Sequence, residues 1–468
     1  MKMINQDTIC AIASAQGGAI GTIRVSGPQA IEITSRLFTP MQGKPLAERK
    51  PYTLTFGKII SPQGEIIDEV LVALFRAPHS YTGEDSTEIM CHGSSYILQQ
   101  VVQLLILGGC RSALPGEYTQ RAFLNGKMDL SQAEAVADLI ASSSAATHRL
   151  AMSQMRGGFS KELSELRNQL LHFTSLMELE LDFSDHEELE FANRDELNAL
   201  AAHIEQVIAR LAHSFSVGNA IKNGIPVAII GETNAGKSTL LNALLNEERA
   251  IVSDIHGTTR DVIEDTINLQ GITFRFIDTA GIRQTTDTIE SLGIERTFQK
   301  MDQAHIILWM IDSTDVKVRF EELKAEILPH CEDKKLIILF NKSDLLLTIQ
   351  KEELSAMFAD IEAEKLFISA KKRENIATLE DKLVQAAALP QINQNDIIIT
   401  NARHYEALVR ALDSIHRVQE GLQVGLSGDL VSEDLRQCIH ELGEIVAEGG
   451  ITSEETLQNI FKNFCIGK

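Results

Sequence analysis

The eight residues Gly231-Glu232-Thr233-Asn234-Ala235-Gly236-Lys237-Ser238 constrain this chain more than any other stretch. Gly-x4-Gly-Lys-Ser is a phosphate-binding loop when a strand precedes it and a helix follows. Both neighbours are present: Ile225 to Ile230 has the continuous apolar run of a short buried strand, and Thr239 to Leu245 reads as a helix. The glycines let backbone N–H groups approach phosphate, and the helix N-terminus adds its positive dipole end. Asn234, Ala235, Gly236, Lys237, Ser238 and Thr239 are therefore candidate nucleotide contacts. Lys237 would reach the β and γ phosphates as a catalytic cation, and Ser238 would ligate magnesium.

Three further segments follow in the order a Ras-like GTPase domain requires. Asp278-Thr279-Ala280-Gly281 comes after the β-type run Ile272 to Ile277; its Asp can hold magnesium through water and its Gly can aim an N–H at the γ-phosphate. Asn341-Lys342-Ser343-Asp344 ends the apolar run Leu336 to Phe340 and resembles the guanine-reading motif of translation-factor and Ras-related GTPases. The Asp344 carboxylate can accept both hydrogen bonds that the guanine edge offers, whereas adenine has no matching donors; sites built this way discriminate by ~10⁴ or more. Ser369-Ala370-Lys371, after Lys365 to Ile368, resembles the loop whose backbone N–H contacts the guanine carbonyl.

Between the phosphate loop and Asp278 lies a polar segment in the place of a switch that orders around magnesium and the γ-phosphate. Ser253, Asp254, Ile255, His256, Gly257, Thr258 and Thr259 are candidate contacts there, Thr259 as the second protein ligand of magnesium. One absence is informative. Ras-type enzymes place a Gln just after Asp-x-x-Gly to orient the attacking water, but here Ile282 follows Gly281 and cannot hydrogen-bond. Gln284 and Glu290 are the nearby candidates for that task.

At 468 residues the chain is too long for one core, so two or three domains are expected. Residues 1–127 mix short strands (Ile20 to Val25, Leu54 to Ile60, Glu69 to Phe75, Ser86 to Met90) with an apolar helix, Tyr96 to Leu107, and read as a small α+β domain. Helical periodicity runs from Ser131 to Phe215 and again from Ala402 to Phe464, flanking the GTPase segment at 224–386. Residues 128–223 and 387–468 are thus expected to form one helical domain interrupted by an inserted α/β domain. The acidic run Glu178 to Glu190 reads as a solvated face or loop.

No apolar run approaches the ~18 residues of a membrane helix, and the start Met-Lys-Met-Ile-Asn-Gln-Asp lacks a signal-peptide pattern, which makes a cytoplasmic location the expectation. The six cysteines, Cys10, Cys91, Cys110, Cys331, Cys438 and Cys465, form no Cys-x-x-Cys pair, against a zinc knuckle or a disulfide framework. A net charge of −22, from 43 basic and 65 acidic residues, opposes sequence-independent binding to a phosphate backbone. If nucleic acid is involved, a local patch or a partner must supply positive charge, and no block of Lys and Arg does so along the sequence.

With these segments in hand, the chain from Arg24 to Lys468 resembles the MnmE family of tRNA-modification GTPases, also called TrmE. Gly257-Thr258-Thr259-Arg260-Asp261, the stretch Ile289 to Arg296, Pro115-Gly116-Glu117-Tyr118 through Lys127, and the terminal Phe464-Cys465-Ile466-Gly467-Lys468 look like its signatures. The resemblance implies an N-terminal domain that binds a formyl- or methylene-tetrahydrofolate and forms a homodimer. It also implies a flavoprotein partner, MnmG (GidA), with which an aminomethyl or carboxymethylaminomethyl group is placed on carbon 5 of a tRNA wobble uridine, tRNA being held mainly by the partner. By position it implies folate contacts at Arg24, Glu88, Lys127 and Lys468. It further implies a potassium ion held by Asn234, Ser253, Ile255 and Thr258, and Glu290 as the catalytic residue that orients water.

Many members have Pro before the Asn of the phosphate loop, where this chain has Thr233. Cys465 is the fourth residue from the end, but Gly467, Lys468 and the lack of a polybasic run argue against prenylation; a place beside the one-carbon chemistry and a packing role are the two readings left open. The competing functional reading is a ribosome-assembly GTPase that binds RNA as a switch. Such proteins usually carry a basic accessory domain or a Gly-x-x-Gly loop, and this chain ends in acidic helical sequence.

Overall fold

The computed structural model describes residues 7–15, 17–182, 193–232, 234–247, 265–277, 301–315, 320–331, 334–388, 397–446, 460, 461, 464 and 467. By Cα proximity they fall into two compact units, one of residues 1–141, 151–209 and 406–468, the other of residues 142–150 and 210–405.

The first unit begins with a seven-stranded sheet. Its strands are β1 (Ile9–Ile12), β2 (Ile20–Ser26), β3 (Phe38–Pro40), β4 (Thr53–Ile60), β5 (Ile66–Phe75), β6 (Ser86–His92) and β7 (Arg111–Ser112), in the order β3-β4-β5-β6-β2-β1-β7. Alternation along β2 and β6 sends Ile23, Val25, Ile89 and Cys91 to one face, where helices Ala30–Leu37 and Ser95–Leu107 cover them with Ile33, Leu98, Val101 and Leu105. The pairing of β2 with β6 is antiparallel and sets Arg24 directly opposite Glu88. Long helices complete the unit: Gly158–Asp182 packs along Gly428–Val446. Glu205 of helix Arg194–Asn223 accepts from Gln419 of helix Ala402–Gln423 at 2.8 Å, so helical sequence from both sides of the GTPase segment meets.

The second unit holds a six-stranded sheet of β8 (Ile225–Ile230), β9 (Asp265–Leu269), β10 (Ile272–Phe276), β11 (Ile306–Asp312), β12 (Lys335–Asn341) and β13 (Glu364–Phe367). The order is β13-β12-β11-β8-β10-β9, parallel except for the antiparallel edge strand β9. Two apolar cores lie on its faces. One contains Leu240, Leu244, Ile376 and Leu379 from helices Lys237–Glu247 and Ile376–Ala386. The other contains Trp309, Phe340, Leu354 and Phe358. Strands buried on both sides must be apolar throughout, which is why β8, β11 and β12 read as unbroken hydrophobic runs.

Helical sequence begins two residues earlier than the reading of Thr239 to Leu245, because Lys237 and Ser238 already have helical geometry. No described helix is long and apolar enough to cross a membrane.

Candidate functional site: a nucleotide loop and a side-chain cluster in the N-terminal sheet

At the C-terminal ends of the parallel strands, β8 runs into the phosphate loop. Its backbone requires glycine at both ends: φ is +142° at Gly231 and +101° at Gly236, and a Cβ there would lie 2.1 Å from the Met310 carbonyl oxygen and 2.3 Å from Asn341 Nδ2 respectively. Asn234 is exposed with φ +66°, and Ala235 is fully buried. Lys237 Nζ donates to the carbonyls of Gly231 and Glu232, 2.7 Å each, so the lysine bridges the loop it serves. Ser238 is half-buried and Thr239 exposed in the first turn of the helix.

The guanine end is built from the tips of β12 and β13. Asn341 is 3% exposed; its Nδ2 donates to the Ala235 carbonyl at 2.7 Å and its Oδ1 accepts from the Ala370 N–H at 3.0 Å. One side chain therefore ties the phosphate loop to the 369–370 loop. Lys342 adopts a left-handed conformation, φ +62°, and its ammonium pairs with Asp312. That turn presents Asp344, whose carboxyl is held below its ordinary range first by the Ser369 hydroxyl and then by Lys372, 3.1 Å away. A carboxylate that stays ionised at neutral pH is the acceptor a guanine edge needs. Ser369 and Glu374 exchange backbone hydrogen bonds of 3.2 and 3.1 Å, closing the loop that carries Ala370.

Of the sequence-derived nucleotide residues, the structure brings together Asn234 to Thr239, Asn341 to Asp344, and Ser369 with Ala370. Ser253, Asp254, Ile255, His256, Gly257, Thr258, Thr259, Asp278, Thr279, Ala280, Gly281, Ile282, Gln284 and Glu290, together with Thr233, lie outside the described residues. Lys372 and Asp312, which brace the motif from outside it, were not found by sequence reasoning; neither belongs to a recognisable spacing.

A second constellation sits in the N-terminal sheet. Arg24 donates from Nε to Glu88 Oε1 at 2.9 Å, and its guanidinium lies 5.3 Å from the Tyr81 ring centre and 5.6 Å from that of Tyr118. The Tyr118 hydroxyl donates to the Arg24 carbonyl at 2.7 Å, and that of Tyr81 shares a 2.8 Å hydrogen bond with Thr119. Lys127 Nζ donates to the Pro78 carbonyl at 3.0 Å, on the loop that carries Tyr81. Sequence reasoning named Arg24, Glu88 and Lys127 but missed the two tyrosines, although Tyr118 stands in a segment singled out as a signature. Lys468 and Cys465 lie outside the described residues; Gly467 places its Cα against β1, where a Cβ would meet the Ile12 carbonyl oxygen at 2.3 Å.

The parallel sheet, the glycine-dependent phosphate loop and the asparagine-tied guanine loops define a P-loop GTPase. Comparison with known proteins agrees and goes further. Family models match residues 8–127 (GTP-binding protein TrmE N-terminus) and 130–465 (MnmE helical domain). The chain is 83% identical over 500 aligned positions to the tRNA modification GTPase MnmE of Phocaeicola vulgatus, covering 100% of both chains. It is 70% identical over 469 positions to that of Bacteroides thetaiotaomicron, covering 99% of this chain and 100% of that one. The chain belongs to the MnmE (TrmE) family. Among solved structures, Aquifex aeolicus Era bound to GDP and AlF4⁻ is 29% identical, over 40% of this chain and 66% of that chain, with a TM-score of 0.28.

Proposed function

We propose that this chain hydrolyses GTP to drive a tRNA modification: with a flavoprotein partner of the MnmG (GidA) kind, it installs an aminomethyl or carboxymethylaminomethyl group on carbon 5 of the wobble uridine, the carbon unit coming from a tetrahydrofolate. The nucleotide half of this reading is carried by Asn341, which holds the phosphate loop and the guanine loop as one site beside an ionised Asp344. The tRNA half is supported by family membership and by relatives that bear that activity in their names. In this proposal residues 1–127 serve folate binding and dimerisation, 128–223 and 387–468 form the helical domain, and 224–386 bind and hydrolyse GTP.

The residues present suit the groups this function needs. Ser238 offers a hydroxyl to magnesium beside the Lys237 ammonium, with Thr259 as the second ligand. Asn234 holds its amide exposed on a left-handed turn, free to join Ser253, Ile255 and Thr258 around potassium. Bound there, potassium supplies the positive charge that an arginine finger supplies elsewhere. Glu290 orients the attacking water in place of the glutamine that Ile282 displaces, and Lys237 steadies the charge on the phosphates. Arg24 and Glu88 together offer a folate both donor and acceptor beside the rings of Tyr81 and Tyr118, and Lys127 and Lys468 are the further folate contacts that the family resemblance implies. A homodimer is supported by the outer face of the N-terminal sheet: Phe56 and Leu71, paired across β4 and β5, are 47% and 41% exposed beside Leu54 at 60%.

Mass spectrometry of tRNA from a strain lacking this gene tests the reading. Loss of the side chain on carbon 5 of wobble uridine is expected; unchanged nucleosides would return the ribosome-assembly reading to first place.

A further inference from the structure

A cleft of the second unit lies at the opposite end of its sheet from the nucleotide loops. It encloses about 840 Å³ and is lined by Lys335, His305, Arg275, Gln303, Asn219 and Asn223, with Ile225 and Pro226 among its apolar wall. A volume of that size accommodates a nucleotide-sized group. The chain carries a net charge of −22, yet among the described residues no carboxylate lines this cleft, and every ionisable side chain in its lining is basic or imidazole.

Strand order creates the arrangement. Lys335 opens β12, His305 immediately precedes β11, and Arg275 lies in β10. The Lys335 N–H donates to the His305 carbonyl at 3.1 Å, the His305 N–H donates to the Pro226 carbonyl at 2.9 Å, and Pro226 stands in register with Arg275. Lys335, His305, Pro226 and Arg275 are thus neighbours along one end of the sheet although 109 positions separate Pro226 from Lys335 in sequence. With strands ~4.8 Å apart, the row extends over roughly 14 Å. A row of that length is longer than one phosphate needs. It suits the repeating charge of a polynucleotide strand, with amide donors of Gln303, Asn219 and Asn223 beside it. The local positive patch that the composition demands of any nucleic-acid contact is therefore present, assembled by the fold from residues scattered along the chain.

We propose that this cleft is an RNA-backbone contact site, in which Lys335 and Arg275 neutralise phosphates of the tRNA substrate. The chemistry recognised is a nucleotide phosphate, and an RNA strand is its source rather than a free nucleotide. The proposal rests on the reading that tRNA is the substrate, which the wobble-uridine measurement tests separately.

The test uses the full-length chain and labelled tRNA, with affinity measured across a salt series below ~200 mM. Lys335→Gln and Arg275→Gln should each weaken binding and reduce the slope of log K against log salt by about 1, with Lys335→Arg restoring the parental slope. GTP turnover and melting temperature close to the parent's show that the variants are folded. Lys161→Gln removes a charge from an exposed helix position outside the cleft and should leave the slope unchanged. Parental slope and affinity in both cleft variants overturn the proposal, as does an equal loss in Lys161→Gln, which would mean bulk charge alone. Equilibrium dialysis with GDP distinguishes the sources: one equivalent per chain is expected in every variant. A second equivalent that disappears in Lys335→Gln, with the RNA slope unchanged, would assign the cleft to free nucleotide and overturn the RNA assignment.

Discussion

Replacing Asn341 by alanine removes two hydrogen bonds at once and leaves the Ala235 carbonyl and the Ala370 N–H facing a hole. Each buried partner left unsatisfied costs about 1–3 kcal/mol, so two give about 2–6 kcal/mol. Water entering the vacated space recovers part of this, which brings the expected loss to about 2–4 kcal/mol. Part appears as lower stability of the GTPase domain. The remainder must be restored by the nucleotide, because only with both loops in place do phosphate and base contacts form together. If about 2 kcal/mol falls on binding, GTP affinity drops about 30-fold. Asn341→Asp separates the two bonds: a carboxylate still accepts from Ala370 but repels the Ala235 carbonyl, so it should weaken binding at least as much. Titration with a fluorescent GDP analogue, paired with thermal unfolding of the same samples, measures both portions. Affinity within twofold of the parent in Asn341→Ala would refute the argument that this side chain makes one site of two loops.

Asp344→Asn should weaken GTP and favour xanthosine triphosphate, whose edge carries a carbonyl where guanine has an amino group; competition binding with the two triphosphates reads the change, and undiminished GTP affinity removes Asp344 from the site. Glu88→Gln and Lys127→Ala should abolish binding of a formyl-tetrahydrofolate while GTP turnover stays of the same order, and calorimetry showing full folate affinity in either would dismiss that pocket. Potassium should raise turnover above its value in sodium; Asn234→Ala should lose that response while binding nucleotide, Glu290→Ala should lose turnover altogether, and an active Glu290→Ala would end its role.

The last prediction concerns acid stability. Burial pushes the Glu117 carboxyl up, but Arg111, the Leu114 N–H and Arg121 together outweigh it and hold the group below its ordinary range. A depressed folded-state value means the stabilisation is complete above the unfolded value, near 4.3, and is lost as pH falls through the folded one. Melting temperatures of the N-terminal domain should therefore fall below about pH 4.3, and Glu117→Gln should flatten that fall. An equal slope in the variant would count against it.

What the sequence disclosed and what it withheld divide along physical lines. β8 was legible because a fully buried parallel strand is continuously apolar and glycines of known purpose follow it. β11 is just as apolar, Ile306–Asp312, but no motif stands at its end, and a run of seven gives no period to separate strand from helix. β1 and β7, with four and two residues, are too short to show alternation; only their pairing in the sheet makes them strands. The helix Ala30–Leu37 went unread because eight residues of mixed β-branched and polar type carry a weak signal. At the site, Asp344 could be found because its motif is contiguous. Lys372, which helps keep it ionised, depends on a turn with left-handed residues at Arg373 and Asn375, and no spacing announces that turn. The two tyrosines over Arg24 are brought there by the loop after β5 and by helix Glu117–Leu124, so tertiary folding alone reveals them.

The contact of Gly467 with Ile12 has a bearing on how the molecule is made. A ribosome delivers Gly467 more than four hundred residues after β1, with Phe461 and Phe464 likewise arriving late to pack beside Gly116. Domains normally fold in the order of their synthesis. Here the GTPase domain emerges whole and can fold while the N-terminal domain still lacks the residues that close its surface, so the earlier-translated of the two domains is completed after the later one.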